Sequence, residues 1–116
     1  MKKLTTHVLD TANGIPGEGI KIDLYKITNE RILVKTVITN DDGRVDTPLL
    51  EGESFEHGTW ELVFHVAEYF QNTSDKKMTS PHFLDEIPLR FGINSDAHYH
   101  VPLLVSPWSY STYRGS

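Results

Sequence analysis

Four groups in this chain have side chains and spacings suited to acid–base chemistry on a small polar molecule. The last four residues, Tyr113-Arg114-Gly115-Ser116, bring together a phenol, a guanidinium, a flexible glycine and a hydroxyl beside a terminal carboxylate. His7 lies inside an apolar, strand-like run, Leu4-Thr5-Thr6-His7-Val8-Leu9-Asp10. Arg44 directly follows an Asn40-Asp41-Asp42-Gly43 turn. His98 and His100 stand two residues apart in a second strand-like run. A histidine titrates near pH ~6.5 and can take or give a proton at neutral pH. An arginine offers a planar fork of donors to a carbonyl or an oxyanion.

Each of these has an ordinary reading as well. His7 fits a solvent-facing strand histidine, and Arg44 a solvated arginine at a strand start. His98 and His100 share one face of a strand, so phase alone does not choose between them. Histidines at i and i+2 in a strand can ligate a metal, but no third ligand stands near them and the chain has no cysteine. No metal or other cofactor is expected. His57, His65 and His82 have no partner identifiable from sequence.

The elements that must position these groups are strands. Ile20, Ile22 and Leu24 alternate with polar neighbours. The same period of two runs through Trp60, Leu62, Phe64 and Val66, through Ile87, Leu89, Phe91 and Ile93, and through Tyr99, Val101, Leu103 and Val105. Residues 4–10 and the β-branched run 31–39 add two more strands. Turn signals separate the runs at Asn13-Gly14-Ile15-Pro16-Gly17, at Asn40–Gly43 and at Ser106-Pro107. One short helix is expected from Ala67 to Asp75. The pattern predicts an all-β, antiparallel β-sandwich of about eight strands with one short helix. Residues 1–116 form a single domain in this reading, a usual domain length.

Composition narrows the function. The chain has 11 Lys and Arg against 16 Asp and Glu, a formal charge of −5, with no basic cluster. Nucleic-acid binding rests on phosphate neutralisation, so no nucleic-acid partner is expected. Met1-Lys2-Lys3 leads into no apolar segment, so no signal peptide, membrane span or membrane partner is expected, and the cytoplasm is the default location. Pro102 and Leu104 sit on the histidine face of their strand. That face is too apolar to be left open, and no helix is available to cover it, so a second subunit is the natural cover.

Three stretches, read together, resemble the transthyretin-related 5-hydroxyisourate hydrolase family. They are Leu4 to Gly14 with Pro16, Thr39 to Arg44, and His98 to Pro107 running on through Ser109 to Ser116. Order and spacing agree over nearly the whole chain. The terminal Tyr-Arg-Gly-Ser is the specific part, because transthyretin carriers resemble the chain only up to Thr112. Residues 55–85 match more loosely. The resemblance implies a transthyretin-like sandwich that hydrolyses the cyclic amide of 5-hydroxyisourate, a purine-derived product of urate oxidation. The product would be 2-oxo-4-hydroxy-4-carboxy-5-ureidoimidazoline. It also implies a homotetramer with sites across the dimer–dimer interface. The roles it implies are catalytic for His7, Arg44, His100 and Ser116, and substrate-binding for Arg44, Tyr113, Arg114 and Gly115. The general base stays open among the histidines, Tyr113 and the terminal carboxylate. Two other readings remain: a non-catalytic carrier of small ligands in the same channel, and a monomeric adhesive or structural module with these residues scattered.

Overall fold

The fold was read from a computed structural model, which describes residues 1–73 and 78–115. The chain runs β1 (Lys3–Asp10), β2 (Ile15–Pro16), β3 (Lys21–Ile27), β4 (Arg31–Ile38), β5 (Leu50–Glu51), a single 3-10 turn at Gly52–Ser54, β6 (Gly58–His65), α1 (Val66–Thr73), β7 (Glu86–Ile93), β8 (His98–Val105) and β9 (Tyr110–Thr112). Two sheets face each other. One has the order β2-β1-β8-β9, with β5 also paired to β1; the other has the order β4-β3-β6-β7. The two-layer sandwich is the expected fold. Its nine strands among the described residues exceed the expected eight or so, because β2 and β5 are two-residue strands too short to show a period.

One pairing departs from the antiparallel pattern. β1 runs parallel to β8 over its full length, with Lys3 opposite His98, Thr5 opposite His100 and Asp10 opposite Val105. All other strand pairs are antiparallel.

The alternation read from sequence separates inside from outside. Leu4, Val8, Ile22, Leu24, Leu62, Phe64 and Leu103 are fully buried between the sheets. β4 is different: it is an edge strand, and Ile32, Leu33, Val34 and Ile38 are exposed on it. The helix forms one residue earlier than expected, at Val66; Asp75, its expected end, lies outside the described residues. Val66, Tyr69 and Phe70 turn into the core.

Tyr69 also reaches the far end of β1. Its hydroxyl donates to Asp10 Oδ2 at 2.7 Å. The same carboxylate, 1% exposed, accepts from the backbone N–H groups of Ala12 and Asn13 at 3.0 Å each and from Asn13 Nδ2 at 2.8 Å. Burial and the neighbouring Asp10 charge push the Tyr69 hydroxyl well above its ordinary pKa, so it stays a donor.

Candidate active site

The site begins with β1 and β8 lying side by side. In β1, residues alternate between buried and half-buried, so Thr5, His7 and Leu9 share the outer face. In β8, His98, His100 and Leu104 share it too. The parallel register then brings both histidine-bearing strands into one surface. The ring centres of His7 and His100 are 6.5 Å apart, and those of His98 and His100 are 6.2 Å apart.

Arg44 joins from the turn that precedes it. Asn40 builds this turn: its Oδ1 accepts from the Asp42 N–H at 2.9 Å and the Arg44 N–H at 3.1 Å. Its own N–H donates to the Arg44 carbonyl at 2.7 Å. Gly43 closes the turn at a φ of 74°, a left-handed conformation that favours glycine. Any Cβ there would press into the Val8 carbonyl oxygen. The close approach lets the Val8 N–H donate to the Gly43 carbonyl at 2.8 Å, and His7 and Arg44 become bridged partners.

Thr5, Thr6, Arg44, Val45, His98 and His100 line an open cavity of about 380 Å³. The pKa values of the two imidazoles that line it, His98 and His100, and of the neighbouring His7 are all lowered. Burial is the main cause for His7, and the Arg44 charge adds to it. Burial also leads for His100, followed by the charges of Arg44, His98 and His7. His98 is lowered by burial and then by Lys3 and the N-terminal amine. Imidazoles of lowered pKa beside a guanidinium place a base next to an oxyanion donor.

The tail reaches this surface by a second route. β9 pairs with β8, then the chain returns at Gly115, whose N–H donates to the His100 carbonyl at 2.7 Å. Gly115 is a second tight point of the site, after Gly43. A Cβ there would stand 2.7 Å from His100 Cδ2 and 3.2 Å from its Cβ and Cγ. Tyr113 and Arg114 lie elsewhere. The Arg114 guanidinium covers the Tyr99 ring at 4.1 Å. Together with Arg90, Phe91 and Thr112, these two residues line a separate cavity of about 460 Å³. Of the residues expected at the site, His7, Arg44, His100 and Gly115 therefore meet on one surface, while Tyr113 and Arg114 border another. Ser116 lies outside the described residues.

Two contributors were not legible in the sequence as site residues. Asn40 looks like any turn asparagine, although its spacing from Arg44 is that of a side chain capping its own turn. Thr5 carries no signal beyond sharing the phase of His7. The other histidines have structural partners: His57 pairs with Asp96 at 2.8 Å, His65 with Asp23 at 2.8 Å and His82 with Gln71 at 3.0 Å. Among the described residues no cluster of three or more His, Cys, Asp or Glu could hold a metal ion.

Known proteins are similar to the chain along its length. The chain is 60% identical to "5-hydroxyisourate hydrolase 2" of Rhizobium meliloti, over 98% of this chain and 96% of that protein. The solved structure of Klebsiella pneumoniae 5-hydroxyisourate hydrolase superposes with a TM-score of 0.82 at 28% identity, covering 100% of both chains. The crystal structure of (S)-allantoin synthase superposes with a TM-score of 0.92 at 50% identity, over 99% of this chain, and this chain spans only 44% of that one. The profile of the HIUase/Transthyretin family runs from residue 4 to residue 115, from the strand that carries His7 to the glycine against His100, and the chain belongs to that family.

Proposed function

We infer that the chain is an enzyme that hydrolyses 5-hydroxyisourate in urate degradation. One observation carries the reading: His7, Arg44 and His100 meet on one sheet face in a chain 60% identical to a named hydrolase along its length. A small-ligand carrier has no use for neutral imidazoles beside a guanidinium, and it is set aside on that ground.

The residues fit the steps of ring-amide hydrolysis. A histidine of the pair His7 and His100 takes a proton from water as the water oxygen bonds to the ring carbonyl carbon. Arg44 donates to the oxyanion that forms on that carbon and to the carbonyl-rich edge of the substrate. The carbon–nitrogen bond then breaks as the leaving ring nitrogen takes the proton that the histidine received from water, and the acyl carbon becomes a carboxylic acid that ionises to the carboxylate. Gly115 brings the tail against His100, and the role proposed for Ser116 is to position the reacting water or the substrate. Tyr113 and Arg114 serve by holding the tail in place.

The proposal includes a homotetramer with the His7–His100 face at the dimer–dimer interface. Three features support it. Leu9 and Leu104 flank the histidines half-buried, α1 packs into the core rather than over this face, and the cavity is open to one side. A cytoplasmic location completes the proposal. No helix among the described residues is long and apolar enough to cross a membrane.

The test is direct. Freshly generated 5-hydroxyisourate, followed by ultraviolet absorbance, decays faster with the protein present than without it. Equal decay with and without protein sinks the hydrolase reading. A monomeric mass by light scattering at micromolar concentration sinks the tetramer.

A further inference from the structure

Thr5 stands between two imidazoles. It faces His100 directly across the parallel pair. Its Oγ1 lies 2.7 Å from His98 Nε2 and 2.8 Å from His100 Nδ1. A hydroxyl has one proton to give. It can donate to only one of these nitrogens, so the other must carry a proton and donate to the oxygen. Two bare nitrogens would set a lone pair against a lone pair. The protonation of one ring therefore constrains the other, through an oxygen that belongs to neither.

We propose that Thr5 is a positioning residue that, backed by His98, fixes the tautomer of His100. In the resting enzyme His100 carries its proton on Nδ1 and donates it to Thr5 Oγ1. Thr5 donates in turn to His98 Nε2, and His98 carries its own proton on Nδ1. Nε2 of His100 is then bare and is the one nitrogen of that ring able to accept a proton from a reacting water.

The charges around the rings set this direction. Arg44 is the leading cation acting on His100, ahead of His98 and His7. It lines the same cavity as His100, and with Nδ1 taken by Thr5, Nε2 is the nitrogen left to face that cavity. A lone pair toward the guanidinium is favourable, and an N–H toward it is not. Burial first, and then the charges of Lys3 and the N-terminal amine, lower the pKa of His98, which favours one proton on that ring over two and does not choose between its nitrogens. The Thr5 backbone is fixed by the β1–β8 ladder, so the hydroxyl has little freedom to leave the chain of bonds.

The kinetic part of this inference rests on the hydrolase reading; the tautomer part does not. Imidazole nitrogen NMR on the full-length, 15N-histidine-labelled protein, above the titration range of its histidines, reads the tautomers directly. We expect a protonated Nδ1 and a bare Nε2 on His100, with the same pattern on His98. A protonated Nε2 on His100 overturns the proposal without any variant. Thr5→Val keeps the branched shape and removes the hydroxyl. Outer partners of metal-bound histidines are worth about 10- to 100-fold, and a fall of kcat in that range is expected here, with KM nearly unchanged and mixed His100 tautomers. Thr5→Ser restores both readouts. A Thr5→Val protein with wild-type kcat and wild-type nitrogen signals refutes it, and a Thr5→Val chain that does not fold leaves the wild-type spectrum to decide. If the wild-type protein fails to hydrolyse 5-hydroxyisourate, the hydrolase reading falls and the nitrogen pattern still tests the tautomer.

Discussion

The Arg114 guanidinium lies 4.1 Å from the centre of the Tyr99 ring, and Tyr99 is the strand neighbour of His100. Successive strand residues point to opposite faces, so this stacking grips β8 from the side away from the site. Gly115 then meets His100 on the near side. The tail straddles β8, one residue anchoring it and the next delivering it. Tyr99 is itself held rigid, its hydroxyl bonded by Asn94 and Ser95.

Arg114→Ala should therefore lower turnover about tenfold or more while barely moving the melting temperature. An exposed cation–π contact is worth only about 0.5–1 kcal/mol, so the sandwich survives its loss. Deleting residues 113–116 should abolish turnover with the fold intact, since the core ends before Tyr113. Rate assays paired with thermal melts check both variants. Arg114→Ala turning over at the wild-type rate would remove the anchor role.

Gly115→Ala should be worse than its size suggests. The added methyl meets the His100 ring at 2.7 Å, so the ring or the tail must shift. A misplaced proton-transfer group typically costs about 10²–10⁴ in rate. Activity should fall at least tenfold with the circular dichroism unchanged. Unaltered kcat would show that the tail yields freely.

Arg44→Ala and His100→Ala should each lose about 10²–10⁴ in kcat/KM and still fold, because both side chains sit on the outer face rather than in the core. Wild-type rates in both would dismantle the site as drawn.

The pH dependence has a definite sign. Burial first, and the Arg44 charge second, lower the pKa of His7 and of His100. In the unfolded chain both titrate near ~6.5. Below that pH the unfolded chain binds protons that the folded chain refuses until the medium is more acidic. Stability contributed by these histidines is thus whole above ~6.5 and is lost as pH falls toward their folded values. Activity that needs neutral imidazoles should persist further into acid than an ordinary histidine allows. Arg44→Met removes one cause, so the NMR titrations of both rings should move up. A downward move in either ring would contradict the assignment.

Asp10→Ala should destabilise the fold by about 1–3 kcal/mol, because it strands the buried Tyr69 hydroxyl and two turn N–H groups. Tyr69→Phe should cost less, since Asp10 keeps its other donors. Urea midpoints of the two variants rank them, and the reverse order would show that the carboxylate is not the hub.

Most of the frame was legible because core strands write their burial as a period of two. Ile22, Leu24, Leu62, Phe64 and Leu103 are where that period put them. β2 and β5 were not legible, because two residues cannot show a period. The parallel pairing of β1 with β8 was not legible either, since alternation reports which face a residue takes but not which strand lies beside it. The same gap explains the site. His7, Arg44 and His100 were legible as reactive types in odd places. The placing of Arg114 over Tyr99 depends on how the chain returns after β9, and Thr5 matters only through neighbours 93 and 95 residues away.

That distance has a consequence for how the protein comes into being. β1 leaves the ribosome long before its partner β8, with six strands and the helix made between them. Closing so long a loop carries an entropy cost that grows with the logarithm of its length, and contacts this remote slow folding. Until residues 98–105 emerge, β1 can pair only with the short β2 and β5 and leaves one edge open. The His7–His100 surface therefore cannot form on a nascent chain until β8 has emerged. A product truncated before β8 keeps His7 and Arg44 but lacks His100, so the site is completed only once β8 and Gly115 have been made.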